Sequence, residues 1–230
     1  MSESFNTETL TRLVLAHVDA KPASLHFTPI RTGKHNSSYW ADSNRGRFVL
    51  RIAPPDDAGF LFYERQMMRQ EPGLHDLIRA HTGIPLAEVV GYDFSHTLVN
   101  RDYLVMMALP GIPLSDAPGL THARFSRALR RVGEYLRQLH TLTATEQLGV
   151  EAYGYLGEHH PMEPQPTWAK AFRMMWNKLI DDVMACGPGP AACYTLDEAQ
   201  LMRDLLDRYI ELFDRPVPAA YGCVESEHPD

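Results

Sequence analysis

The chain has 230 residues, 44% of them hydrophobic and 22% charged, an ordinary globular balance with enough length for one large core or two lobes. A formal net charge of −7 argues against a nucleic-acid binder and fits poorly with an anionic membrane surface. Cys186, Cys193 and Cys223 lack metal-ligand spacing, which fits a reducing compartment; with no signal peptide and no long apolar run, the cytoplasm is the expected location.

In chain order, residues 7–19 place Leu10, Leu13, Val14 and Val18 near one face and predict an N-terminal amphipathic helix. Leu25, Phe27 and Ile30 begin a loosely alternating strand. Residues 31–42, RTGKHNSSYWAD, predict a hairpin with a polar tip, closed by the turn Ser43-Asn44-Arg45-Gly46. Such a tip can lie over phosphates through its backbone N–H groups, although most loops of this composition are only loops.

Directly after it, Phe48, Leu50 and Ile52 alternate with Val49 and Arg51, so a strand carries one cation on the face opposite its apolar triplet. Pro54 and Pro55 end that strand, and Asp56 and Asp57 suit a helix N-terminus. The helix expected there carries Glu64 about two turns in. A strand cation fixed by a carboxylate on the next helix is how kinase-like folds hold nucleotide phosphates. The same two residues also suit a solvated edge-strand arginine and a surface glutamate. Glu71-Pro72-Gly73 is expected to break the helix, with a second helical piece running through Leu74, Leu77 and Ile78 to His81. Val89, Val90 and Tyr92 lead to a turn, and residues 102–109, DYLVMMAL, form an apolar strand stopped by Pro110-Gly111.

Beyond Pro113 the pattern becomes helical. Phe125, Leu129, Val132, Leu136 and Leu139 step by four and three along a helix ending near His140. A second helix is predicted over about Trp168 to Met184. A third opens on the capping-box pair Thr195 and Glu198 and carries Leu201, Leu205, Tyr209 and Phe213. Glu158, His159 and His160 lie in a Pro-rich loop; adjacent histidines point apart, so they are not read as a metal site. The Pro110–Asp116 stretch is the natural boundary between two lobes.

The order of these elements, with GKHNSSYW, FVLRIAPP, FYERQMMRQEP, YLVMMALPGIPL and VGEYLRQLH, resembles the aminoglycoside phosphotransferase family over roughly residues 25–218. These are small-molecule kinases with a protein-kinase-like fold. The resemblance implies a two-lobed α+β fold, with a nucleotide-binding lobe over residues 1–110 and a partial helical lobe over 111–218. It implies ATP as cofactor and a small-molecule hydroxyl as the acceptor. It also implies that Gly33, Lys34, His35, Asn36 and Ser37 form the nucleotide-loop tip, that Val49 roofs the adenine, and that Arg51, paired to Glu64, holds phosphates. Met107, Ala108 and Leu109 become the hinge that offers backbone groups to adenine. Arg51 stands where protein kinases have lysine, keeping the charge and adding bidentate reach.

One part of the family's pattern is missing. Members carry a catalytic loop H-x-D-x-x-x-x-N, whose Asp accepts the substrate proton and whose Asn binds Mg²⁺, followed by a further Mg²⁺-binding Asp. Here Asp214-Arg215-Pro216-Val217-Pro218 resembles the lead-in, but no aspartate after it has an asparagine five positions on. The chain is therefore expected to be inactive in this form, with the Mg²⁺ ligands absent and residues 219–230 an aberrant tail. Losing a general base alone costs ~10²–10⁴ in rate. Read one nucleotide later, the degenerate codons of residues 219–230 permit LHMDVWSQNIL, which restores the motif, so a frameshift is the expected origin. The reading from another class is a nucleotide-binding or interaction module without catalysis. An α+β protein whose motifs are fortuitous is a third.

Overall fold

The computed structural model describes residues 4–31, 35–55, 59–142, 152–155, 161–185 and 194–214. Gly33, Lys34, Asp56, Asp57, the Glu158-His159-His160 run, the three cysteines and the tail from Arg215 lie outside these residues. The chain divides into two compact units, Met1–Ala58 with Met68–Gln138, and Gly59–Met67 with Leu139–Asp230. No described helix is long and apolar enough to cross a membrane.

The first unit is built on a five-stranded antiparallel sheet, β1 (His26–Ile30), β2 (Ser37–Ser43), β3 (Gly46–Ile52), β4 (Val89–Asp93) and β5 (Tyr103–Met107), in the spatial order β1-β2-β3-β5-β4. The β2–β3 hairpin closes through Ser43 opposite Gly46, whose φ of +120° is a conformation that glycine alone adopts cheaply. Period-two alternation then gives β3 two different faces. On one, Phe48, Leu50 and Ile52 join Tyr39, Ala41, Tyr103 and Val105 in a core sealed by α1 (Thr7–Leu15). α1 is capped by Asn6, whose side chain accepts from the Thr9 N–H at 2.8 Å, and it inserts Leu10, Leu13 and Val14.

On the other face, Val49 and Ala53 meet Met68, Leu104 and Met106. Met68 belongs to a 3-10 turn, Met67–Gln70, that runs straight into α2 (Glu71–His81). Sequence patterning expects a helix across residues 56–66, broken at Glu71-Pro72-Gly73. The structure reverses this. Residues 59–66 carry turns and no helix, Gln66 has φ +53°, and Glu71-Pro72 opens α2. Proline at the first helical positions costs nothing, because its missing N–H has no acceptor there. The first unit ends in α3 (His122–His140), where Gln138 accepts from the Gly83 N–H at 2.8 Å.

In the second unit Phe62 is buried with Met162 and Ala171, and Tyr63 stacks on Tyr155 with ring centroids 5.0 Å apart. The Phe62 N–H donates to the Asp182 carboxylate. The aromatic pair that a helix at 56–66 would have spread over two faces is thus used in one cluster. α4 (Trp168–Ala185) and α5 (Leu196–Tyr209) join through the Trp176 indole, which donates to the Met202 carbonyl at 3.1 Å, and through Arg203, which donates to Asn177 and Asp181. The capping box predicted for α5 forms, with the Thr195 hydroxyl accepting from the Glu198 N–H and the Glu198 carboxylate accepting from the Thr195 N–H.

Candidate functional site

The sheet face that carries Val49 also carries Arg51, which stands opposite Leu104 in the β3–β5 ladder. The Arg51 guanidinium forms a two-nitrogen salt bridge with Glu71: Nη2 donates to Oε1 at 2.9 Å, and Nη1 donates to Oε2. The side chains keep 26% and 21% exposure, so the pair is neither sealed in the core nor free in solvent. Pairs of this kind hold their geometry and remain reachable.

The partner expected from the sequence, Glu64, is therefore corrected. Glu64 Oε2 accepts from the Leu61 N–H at 3.0 Å and closes a local turn, and the residue belongs to the second unit. Arg51 and Glu71 both belong to the first. The physical reason is the fate of residues 59–66: without a helix there, the two-turn spacing on which the expected Glu64 pairing rests does not exist. Glu71, at the acidic first turn of α2, takes the place. The signal was present in the sequence, since a Glu-Pro step suits a helix start as well as a helix break.

The other expected residues fall as follows. Ser37 opens β2 and is buried at 7%, opposite Ile52, so it is a strand residue and not part of the loop tip. His35 and Asn36 form the bend before it. Ser38 stands opposite Arg51, which places that bend just beyond the Arg51 end of the hairpin. Met107 closes β5 opposite Phe48, at the far end of the same strand. Its N–H donates to the Glu88 carbonyl at 2.8 Å, and the Ala108 N–H donates to the Arg47 carbonyl at 3.1 Å. Two of the three hinge donors are thus committed inside the protein. Leu109 is exposed.

A second ionic group lies close by in the chain. Asp102, at the foot of β5, is 4% exposed and accepts from Arg69 Nε at 2.8 Å and Nη2 at 3.1 Å. His96 Nε2 lies 2.9 Å from the same carboxylate. Sequence reading did not single out these three residues, because nothing in their spacing announces a contact between a loop, a strand foot and a turn. Among the described residues no cluster of three or more His, Cys, Asp or Glu suits a metal ion.

Comparison with known proteins agrees with this architecture. The family model described as the phosphotransferase enzyme family matches residues 26–218. A candidate aminoglycoside phosphotransferase from Ralstonia eutropha JMP134 superposes with a TM-score of 0.54 at 14% identity, over 89% of this chain and 54% of that one. A candidate fructosamine-3-kinase from Thermobifida fusca YX-ER1 gives 0.53 at 18% identity, over 91% of this chain and 65% of that one. The chain thus spans between about half and two thirds of the length of these structures. No curated protein matches it. With the family model covering most of its length and an α+β fold shared with kinase-like phosphotransferases, this chain belongs to the phosphotransferase enzyme family.

Proposed function

We propose that the chain holds the nucleotide for ATP-dependent phosphoryl transfer to a hydroxyl of a small molecule. The observation that carries this reading is the partly exposed Arg51–Glu71 pair on the Val49 face of β3. A guanidinium has five N–H donors, and the salt bridge takes one hydrogen from each Nη, so donors remain for phosphate oxygens. Phosphoryl transfer needs such cations, because negative charge on the transferred group is its main electrostatic problem.

Arg51 and the Phe48–Met107 pair lie three residues apart along β3, about 10 Å at the rise of a strand. That span fits phosphates at one end and adenine at the other, with Val49 between them. The committed Met107 and Ala108 donors leave the hinge carbonyls and Leu109 to meet the base. The His35–Asn36 bend lies at the Arg51 end of the hairpin, the side from which it would meet the phosphates. ATP supplies the phosphoryl group, with Mg²⁺ as its usual counterion. The second reading, a nucleotide-binding module without catalysis, uses the same Arg51–Glu71 site and differs only in whether the phosphate is transferred.

Calorimetric titration with ATP tests the assignment. Arg51→Ala is expected to weaken binding by about 10- to 150-fold, the range for a lost hydrogen bond to a charged group. Glu71→Gln is expected to weaken it and Glu64→Gln to leave it unchanged. Unchanged affinity in a folded Arg51→Ala protein would overturn the reading. Phosphate transfer to a panel of sugar and aminoglycoside hydroxyls, measured on the same protein, decides between enzyme and binding module.

A further inference from the structure

We infer that Asp102 is a positioning residue for the nucleotide site, acting through Arg69 on the start of α2 and hence on the Arg51–Glu71 pair. The inference rests on the phosphate-holding role proposed for Arg51.

The argument begins with how α2 starts. Its N-terminal boundary at Gln70 has no side-chain cap, so the helix does not hold its own first turn through a capping residue. Two other anchors stand just before it. Met68, 3% exposed, is seated against Leu104 and Met106 on the Arg51 face of the sheet. Arg69, next in sequence and two residues before Glu71, grips Asp102 with Nε and Nη2 on separate oxygens. A fork of this kind fixes direction as well as distance, which a single contact does not.

Asp102 is itself tied to the strand that carries Arg51. Its carbonyl accepts from the Ala53 N–H at 2.8 Å, and Tyr103 stands opposite Ile52. One residue therefore holds the end of β3 with its backbone and the entry to α2 with its side chain. His96, held at φ +62°, brings Nε2 to Oδ1, the oxygen that also accepts from Arg69 Nη2. The Asp102 side chain is only 3% exposed, so its two-oxygen grip on Arg69 is made out of solvent. The result is a rigid path from Asp102 through Arg69 to Glu71, and from Glu71 to the guanidinium.

The test is a double-mutant cycle on the full 230-residue chain, with ATP as the probe, read well below the melting temperature. Asp102→Asn keeps the volume and removes the charge. It is expected to weaken ATP binding by about tenfold or more in the folded fraction. In a Glu71→Gln background the same substitution is expected to add little, because the path it acts through is already cut. A merely structural role would lower the melting temperature and leave the affinity of the folded fraction intact; that result overturns the inference, as does full additivity with Glu71→Gln. If Asp102→Asn does not fold, Arg69→Lys takes its place in the cycle, keeping the charge while losing the two-oxygen grip, with the same two readings. Loss of affinity in Arg51→Ala together with wild-type affinity in Asp102→Asn overturns this inference alone. Unchanged affinity in Arg51→Ala overturns the assignment of the phosphate cation and this inference with it.

Discussion

Gly91 shows how closely the first unit is fitted at single residues. A Cβ placed there would stand 2.3 Å from His17 Nδ1 and 2.4 Å from its Cγ, well inside contact distance and against the root of the ring. His17 cannot simply swing aside, since its Nε2 lies 3.1 Å from the buried Tyr103 hydroxyl. Gly91→Ala is expected to cost roughly 1–3 kcal/mol, the range for overpacking, and chemical denaturation measures it. The same histidine sets a pH dependence. Burial pushes its imidazole below the ordinary 6.5, with Asp93 pulling weakly upward. Burial also pushes the Tyr103 hydroxyl up, to about 12. A folded value below the unfolded one means that the unfolded chain takes up the proton more readily. The stabilisation is therefore complete above 6.5 and is lost as pH falls through the unfolded and then the folded value. From about pH 7.5 to about 5.5 the denaturation midpoint is expected to drop further in the wild type than in His17→Gln. Equal drops would show that His17 does not titrate as described. At this scale Arg51 was legible from sequence, because alternation alone puts it opposite the apolar triplet. Its partner was not, because choosing between Glu64 and Glu71 requires knowing where the helix begins.

Elements with strong local signals were readable. The Thr195–Glu198 box, the β3 and β5 strands and the α1 stripe all follow from spacing, caps and turn residues that act within a few positions of themselves. The stretch between β3 and α2 was not, because its conformation follows the burial of Phe62 with Met162 and Ala171, some hundred residues away in sequence. Periodicity also left the neighbours of α3 undetermined. Its stripe is plain in the sequence, yet Phe125, Leu129, Val132 and Leu136 are 40–49% exposed, and no residue of the helix is buried. α5 leaves Leu201, Leu205 and Tyr209 similarly open. Two substitutions separate these faces from a true core. Leu50→Ala, at a fully buried position, is expected to cost about 2–5 kcal/mol. Leu129→Gln is expected to stay within about 0.5 kcal/mol and to reduce binding of a hydrophobic dye. A large loss of stability in Leu129→Gln would show that this face is packed in solution. Thr195→Ala, which removes the cap of α5, is expected to cost about 1 kcal/mol in the same denaturation assay.

The whole molecule separates the candidate residues by unit. His35, Asn36, Ser37, Val49, Arg51, Glu71 and Met107 to Leu109 all belong to the first, and Glu64 alone of the expected set belongs to the second. If ATP is held as proposed, its binding energy is coupled to the opening of the elements that contact it. A ligand at 100 times its Kd stabilises the binding-competent state by about 2.7 kcal/mol, and only openings that destroy the site feel that stabilisation. Amide exchange with and without saturating ATP is therefore expected to slow most in peptides covering β3, the turn before α2, and β5. Peptides from α4 and α5 are expected to change little. In Arg51→Ala the difference should vanish at the same ATP concentration, since occupancy falls with affinity. Protection confined to α4 and α5 would mean that the nucleotide is gripped by the second unit. In that case the Arg51–Glu71 pair would be a structural salt bridge, and the phosphate cation would have to be sought elsewhere in the chain.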